Sequence, residues 1–278
     1  MRIDLPFYSG ITLKLATGPA DDQSYPTAKI QKGLILIYEG QELCEEAVGF
    51  GVPVLKLGLR SIFPGDLELS PLGDGYPGAI RAMFKMNLEE RLRKSGSTVI
   101  TNPILYGSKN IMAAFIRRLP FMRTLLTRTS SLLRSLFSWE TTYEPSSSPS
   151  YVALNFFLEP QTGRIKVELD RQVLSQEGIS EVIVMNEQGA RHFDQYQDTD
   201  GVSLLEGEIG LWDQVSAKEA TFISRKAGIS FSLPQVSGSR LYRGRELIGT
   251  RLAWSGFGYT FAPSLGHFAY EIRLDRLP

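Results

Sequence analysis

Side-chain alternation of period two, bracketed by turn residues, recurs along most of this chain and constrains its fold more than any other feature. Ile165, Val167 and Leu169 alternate with Lys166, Glu168 and Asp170. Ile229, Phe231 and Leu233 alternate with Ser230 and Ser232, and Phe268, Tyr270, Ile272 and Leu274 with Ala269, Glu271, Arg273 and Asp275. Successive side chains of a strand point to opposite faces, so each run buries one face and leaves the other wet. Turn sequences stand between such runs: Pro160-Gln161-Thr162-Gly163 joins 151–158 to 164–170, and Lys226-Ala227-Gly228 joins 221–225 to 229–233.

Further strands are expected at 11–15, 29–38, 42–48, 50–56, 59–63, 181–185 and 247–255. Glu39-Gly40 turns the second into the third, and 181–185 is apolar enough to be buried on both faces. Pro53 lacks an N–H for the ladder, which puts 50–56 at an edge or a bulge. Residues 79–87 fit strand or helix equally. Strands at 8–15-residue intervals, without alternating helices, predict a mainly β fold, a large antiparallel β-sandwich, rather than a parallel α/β fold. The outline resembles large sandwiches (supersandwiches) of the mutarotase type, although no motif carries a family assignment.

One region breaks the pattern. Ile111, Met112, Phe115, Ile116 and Leu119 fall at helical spacing, and Phe121 to Phe137 continue the stripe beyond Pro120. A basic amphipathic helical insertion near 108–138 follows. From Arg91 to Trp139 there are nine basic and no acidic residues, which leaves 21 basic against 30 acidic elsewhere. The Ser/Pro-rich stretch 144–150 reads as a linker between two domains or as a loop inside one. The expected organisation is one large β domain over 1–278, sub-divided into 1–107, 108–143 and 151–278.

The single cysteine, Cys44, excludes an intramolecular disulfide, and no run approaches the roughly 18 apolar residues of a membrane-spanning helix. A cytoplasmic protein that is not integral to a membrane is expected. Two histidines, His192 and His267, are too few for a multi-histidine metal centre, and neither metal nor cofactor is expected. Gly49-Phe50-Gly51 begins like a dinucleotide loop but lacks the third glycine, and no phosphate loop or Gly-x-Ser-x-Gly elbow occurs. Glu42, Glu45 and Glu46 flank Cys44 and disfavour its thiolate.

Four constellations carry chemistry. The polar run 186–196 directly follows a buried strand and holds Asn186, Glu187, His192 and Tyr196, groups suited to acid–base work or to hydrogen-bonding sugar hydroxyls. The run 241–254 holds Tyr242, Arg243, Arg245, Glu246, Arg251 and Trp254, arginines suited to an anion and aromatics suited to stacking; a strand over 247–255 would put Arg251 and Trp254 on opposite faces. Glu206 and Glu208, two apart with Trp212 close behind, have the spacing of a glycosidase carboxylate pair if they lie on a strand. The basic stretch 108–138 suits a protein partner, self-association or an anionic membrane surface; the acidic remainder argues against nucleic acid. The leading expectation is a carbohydrate-binding or carbohydrate-modifying protein whose ligand is a sugar or anionic small molecule. A non-catalytic interaction protein and a peripheral membrane protein stand beside it. Each of these polar runs also has a plain reading, as a surface turn or an internal ion pair.

Overall fold

A computed structural model of the chain describes residues 2–16, 30, 32–44, 48–58, 60–72, 78–94, 139–170, 178–248, 252–265 and 267–277. The expected helical stretch 108–138 and Arg251 lie outside these residues. The described residues contain strands and turns and no helix, so none is long and apolar enough to cross a membrane.

The strands are β1 (Arg2–Pro6), β2 (Ile11–Ala16), β3 (Ile35–Tyr38), β4 (Gln41–Glu42), β5 (Phe50–Leu57), β6 (Arg60–Pro71), β7 (Ala79–Lys94), β8 (Trp139–Glu159) and β9 (Arg164–Asp170). They continue with β10 (Glu181–Gln188), β11 (Gln195–Asp198), β12 (Ser203–Leu205), β13 (Asp213–Val215), β14 (Glu219–Ser224), β15 (Ile229–Pro234), β16 (Ser239–Ile248), β17 (Leu252–Phe261) and β18 (Ala269–Arg276). The first four form a small sheet; the rest form one antiparallel sheet in the order β12-β11-β14-β15-β18-β9-β8-β7-β6-β5-β10-β17-β16-β13.

That sheet folds back on itself. β15 and β17 stand eight places apart, which in a flat sheet would separate them by roughly 40 Å. Yet Phe231 of β15 and Phe257 of β17 have ring centroids 5.8 Å apart, and Phe222 of β14 lies 4.8 Å from Phe257. The antiparallel sandwich expected from the alternation is therefore present, with two inner faces sharing one core. Phe50, Phe193, Phe222, Phe231, Phe257, Tyr259 and Phe268 are all buried in it. Leu13, Leu15 and Leu36 of the small sheet, and Leu34 just before β3, join the same core. Gly51, at φ 73°, lets β8 approach β5: a Cβ there would stand 2.6 Å from the Phe156 ring. The bulge between Met185 and Asn186 lies beside it.

Several local expectations need correction. Residues 79–87 are strand, part of β7. The Ser/Pro-rich stretch 144–150 runs inside β8, where Glu144, Pro145 and Ser150 pair with β7 and 146–149 fall at the register jump between Met86 and Leu88. Strand 247–255 does not exist as one element, because Ile248 pairs with Leu252 and the chain reverses between β16 and β17. Residues 42–48 do not return as a full strand, since β4 stops at Glu42 and Cys44 lies beyond it. β5 is an interior strand, but its pairing with β6 covers only Leu55–Leu57, so Pro53 sits where that side of the ladder has run out.

The two free edges of the sheet, β12 and β13, are brought together by two arginines of β16. Arg245 Nη2 donates to Glu206 Oε2 (3.0 Å) and to the carbonyl of Ala190 (3.1 Å), tying the loops after β12 and β10 to β16. The Arg243 guanidinium lies 4.3 Å from the centre of the Tyr196 ring on β11.

Candidate functional site

Strand parity sorts the candidate residues before any distance is considered. On β17, Ala253, Ser255, Phe257, Tyr259 and Phe261 point into the sandwich, so Trp254, Gly256, Gly258 and Thr260 belong to the outer face. The register carries this across to β10, where Asn186 pairs with Phe257 and Glu187 with Gly256, and to β16, where Arg243 pairs with Phe257 and Glu246 with Trp254. Residues adjacent in sequence therefore part company. Asn186, Arg243 and Arg245 are inward; Glu187, Glu246 and Trp254 are outward.

The inward group is structural in its contacts. Asn186 Oδ1 accepts from the Gly51 N–H (3.1 Å) and the Tyr270 hydroxyl (2.8 Å), linking β10 to β5 and to the opposite layer. The Tyr196 hydroxyl donates to Asp198 Oδ2 at 2.8 Å, and burial pushes its pKa up. His192 is buried in the turn after β10, its backbone N–H bonded to the Gly189 carbonyl. Glu206 and Glu208 do not share a strand face. Both lie in the exposed turn after β12, where Glu206 pairs with Arg245 and Glu208 accepts from the Leu205 N–H. The carboxylate pair expected from their spacing is absent because β12 ends at Leu205.

The outward group is of another kind. Three glycines, Gly244, Gly256 and Gly258, leave the outer face of β16 and β17 low. The Trp212 ring occupies the space a Cβ on Gly258 would need, at 2.2 Å, and Trp254 comes within 2.5 Å of the same position on Gly244. Trp212 stacks on Tyr242 with centroids 5.6 Å apart and planes 5° from parallel, and it meets Trp254 edge-on at 6.3 Å. Trp254 Nε1 donates to Glu246 Oε2 (3.3 Å), and its ring packs against Ile35 and Cys44. All three rings remain half-buried, so part of each faces solvent.

Glu187 stands beside this aromatic wall. Only 5 % of it is exposed. Burial raises its pKa from an ordinary 4.5 to about 8; the nearby Glu246 carboxylate adds to the rise, and a hydrogen bond from the Val48 N–H opposes it. The carboxyl thus keeps its proton to neutral pH. An acid held neutral next to aromatic rings can donate a hydrogen bond or a proton, which an ordinary carboxylate cannot. Burial raises the Cys44 thiol to about 12, with Glu42 and Glu187 adding and Lys32, whose Nζ bonds the Cys44 carbonyl at 3.3 Å, opposing. The sequence expectation of a disfavoured thiolate agrees with this. Alkylation of Cys44 by a maleimide at pH 8 is expected to run at least ~100-fold slower in the folded protein than in denaturant; equal rates would mean the thiol is open to solvent.

Sequence reasoning named Tyr242 and Glu246 in the 241–254 run; what it could not show is that they share the outer face with Glu187 and Trp254, which follows from the β10–β17 and β16–β17 registers. Among the described residues no group of three or more His, Cys, Asp or Glu side chains is placed to hold a metal ion.

No protein-family model matches the chain, and no curated protein does. Among solved structures it is similar to an α-N-acetylgalactosaminidase from Bifidobacterium bifidum in complex with Gal-NHAc-DNJ, at 12% identity and a TM-score of 0.51, over 99% of this chain and 36% of that one. The ligand-free form of that enzyme gives 10% identity and 0.46 over 100% and 36%, and a galactose mutarotase-like protein from Lactobacillus casei gives 10% and 0.41 over 99% of both. This chain therefore spans about a third of the length of the B. bifidum enzyme, and only the likeness at 0.51 is close enough to speak, for the fold alone.

Proposed function

We propose that the protein binds a saccharide on the outer face of β10, β17 and β16 and can act on it through Glu187 as a proton donor. One observation carries the reading: a carboxyl that retains its proton at neutral pH lies beside a tryptophan–tyrosine wall on a glycine-lowered sheet face. Sugars present apolar C–H faces and hydroxyl edges, which half-buried aromatic rings and neutral donors complement. The carbohydrate-related name of the similar B. bifidum enzyme accords with it. Glu246, fixed by the Trp254 indole, is the acceptor in the same arrangement.

The chain has three tryptophans, so its indole N–H signals form a small, assignable set in a ¹⁵N correlation spectrum. Titration with a panel of neutral mono- and disaccharides is expected to shift the Trp212 and Trp254 signals, and Trp254→Ala to weaken binding about tenfold or more. Where a bound sugar is turned over, Glu187→Gln is expected to lower the rate at least ~100-fold with binding retained, since the amide keeps a donor but has no proton to give. A panel that leaves both indoles unmoved at high concentration would sink the proposal.

A further inference from the structure

Of the three rings in the outer aromatic wall, Trp212 alone does not stand on a strand. It ends the segment 206–212, which joins β12 to β13. β13 covers the edge of β16 only from Leu241 to Arg243. Beyond that point the segment itself takes the edge. The Arg245 N–H donates to the Gly210 carbonyl at 2.8 Å. The Leu211 carbonyl comes so close to β16 that a Cβ on Gly244 would stand 2.2 Å from it. One residue later the Trp212 ring lies over Gly258 and stacks on Tyr242.

Arg245 holds this segment twice. Its main chain takes Gly210, and its guanidinium takes the other end: Nη2 donates to Glu206 Oε2 at 3.0 Å and Nη1 to the Glu206 carbonyl at 3.4 Å. Nη2 also donates to the Ala190 carbonyl at 3.1 Å, which fixes the guanidinium against the turn after β10. The planar fork serves Glu206 and Ala190 at once, which a lysine ammonium cannot match. The Arg245 side chain is only 9% exposed, against 66% for that of Glu206. A charge-assisted bond whose donor is shielded from water is stronger than one at the surface. Between the two ends Ile209 is buried in the core and sets the depth of the segment, while Arg245 sets its path along β16. Arg245 lies opposite the buried Ser255, so its side chain is inward, whereas the Trp212 ring is outward. The tie therefore reaches across the edge of the sheet, from its inner face to its outer one.

We infer that Arg245 is a positioning residue for the outer-face site: from the inner side of β16 it sets the path of 206–212 and thereby the place of Trp212 against Tyr242 and Trp254. Its part in binding rests on the saccharide reading; its hold on Trp212 does not.

Two variants test it. Arg245→Lys keeps the charge but loses the fork, and Glu206→Ala removes the exposed end of the tie with little risk to folding. The indole N–H signals of each are read in ¹⁵N correlation spectra, and the saccharide panel is then titrated. In Arg245→Lys the Trp212 signal is expected to shift, and the Trp254 signal with it because the two rings meet edge-on, while that of Trp139 on β8 stays in place. Affinity for the preferred saccharide is expected to fall about three- to tenfold, the worth of one displaced stacking ring. Glu206→Ala should act in the same direction to a smaller degree, and it decides alone should Arg245→Lys fail to fold. A Trp212 signal unmoved in both variants overturns the positioning role whatever the sugar data say. Equal shifts of all three indoles mean a general loosening and overturn it too. A displaced Trp212 with undiminished affinity overturns the part of Arg245 in binding. A wild type that binds no sugar removes the saccharide reading and that part with it, while the Trp212 shift still decides whether Arg245 sets the place of the ring.

Discussion

Phe257→Ala is expected to destabilise the protein by about 3–5 kcal/mol, the cost of deleting a fully buried aromatic ring and leaving a cavity. The ring is fully buried on β17 and touches Phe222 and Phe231 of the opposite layer and Tyr196 of β11, so it joins parts of one sheet that are up to ten places apart in strand order. Dense packing on every side means that little collapse can refill the hole. In thermal unfolding the midpoint should fall by roughly 10 °C. Phe157→Ala is the control: that ring is half-buried on the outside of β8 with Lys166 over it, and its loss should cost less than about 1 kcal/mol. Equal effects for the two variants would mean that the layers do not pack through Phe257.

The second large effect lies in the pH dependence of stability. Glu187 is raised in the folded protein from 4.5 to about 8. Between these values the native state holds a proton that the unfolded chain has released. Stability from this group is therefore complete below about 4.5 and is lost as pH rises toward 8, at about 1.4 kcal/mol per pH unit. Glu187→Gln keeps the shape and an acceptor for the Val48 N–H but carries no titrating proton. Denaturant melts at pH 5, 6, 7 and 8 should show the wild type weakening along the series and the variant nearly flat, with the variant the more stable protein at pH 8. Parallel curves would mean that the carboxyl ionises normally, and the case for a proton donor at this position would fall with it.

Much of the fold was legible in the chain. The alternation at 164–170, 229–233 and 268–274 marked β9, β15 and β18, and the turn residues 160–163 and 226–228 marked the β8–β9 and β14–β15 hairpins. Less regular strands were misjudged for a common reason. Residues 144–150 carry prolines and serines that no isolated strand favours, but the pairing of Glu144, Pro145 and Ser150 with β7 keeps the chain in one strand on either side of the unpaired 146–149. Residues 247–255 look continuous because both sides of the β16–β17 hairpin alternate and only Gly249 interrupts them.

The site divides in the same way. Sequence alone determined that polar groups gather after a buried strand at 186–196 and around 243–254, because period-two patterning and residue chemistry are local properties. Which of them share a surface was decided by tertiary structure. One residue of register flips every side chain between core and solvent, so adjacent Asn186 and Glu187 take opposite fates, one bonded to Tyr270 and the other set beside Trp254. The raised pKa of Glu187 likewise belongs to no residue type: it comes from burial, and burial exists only once strands distant in sequence have been folded over one another.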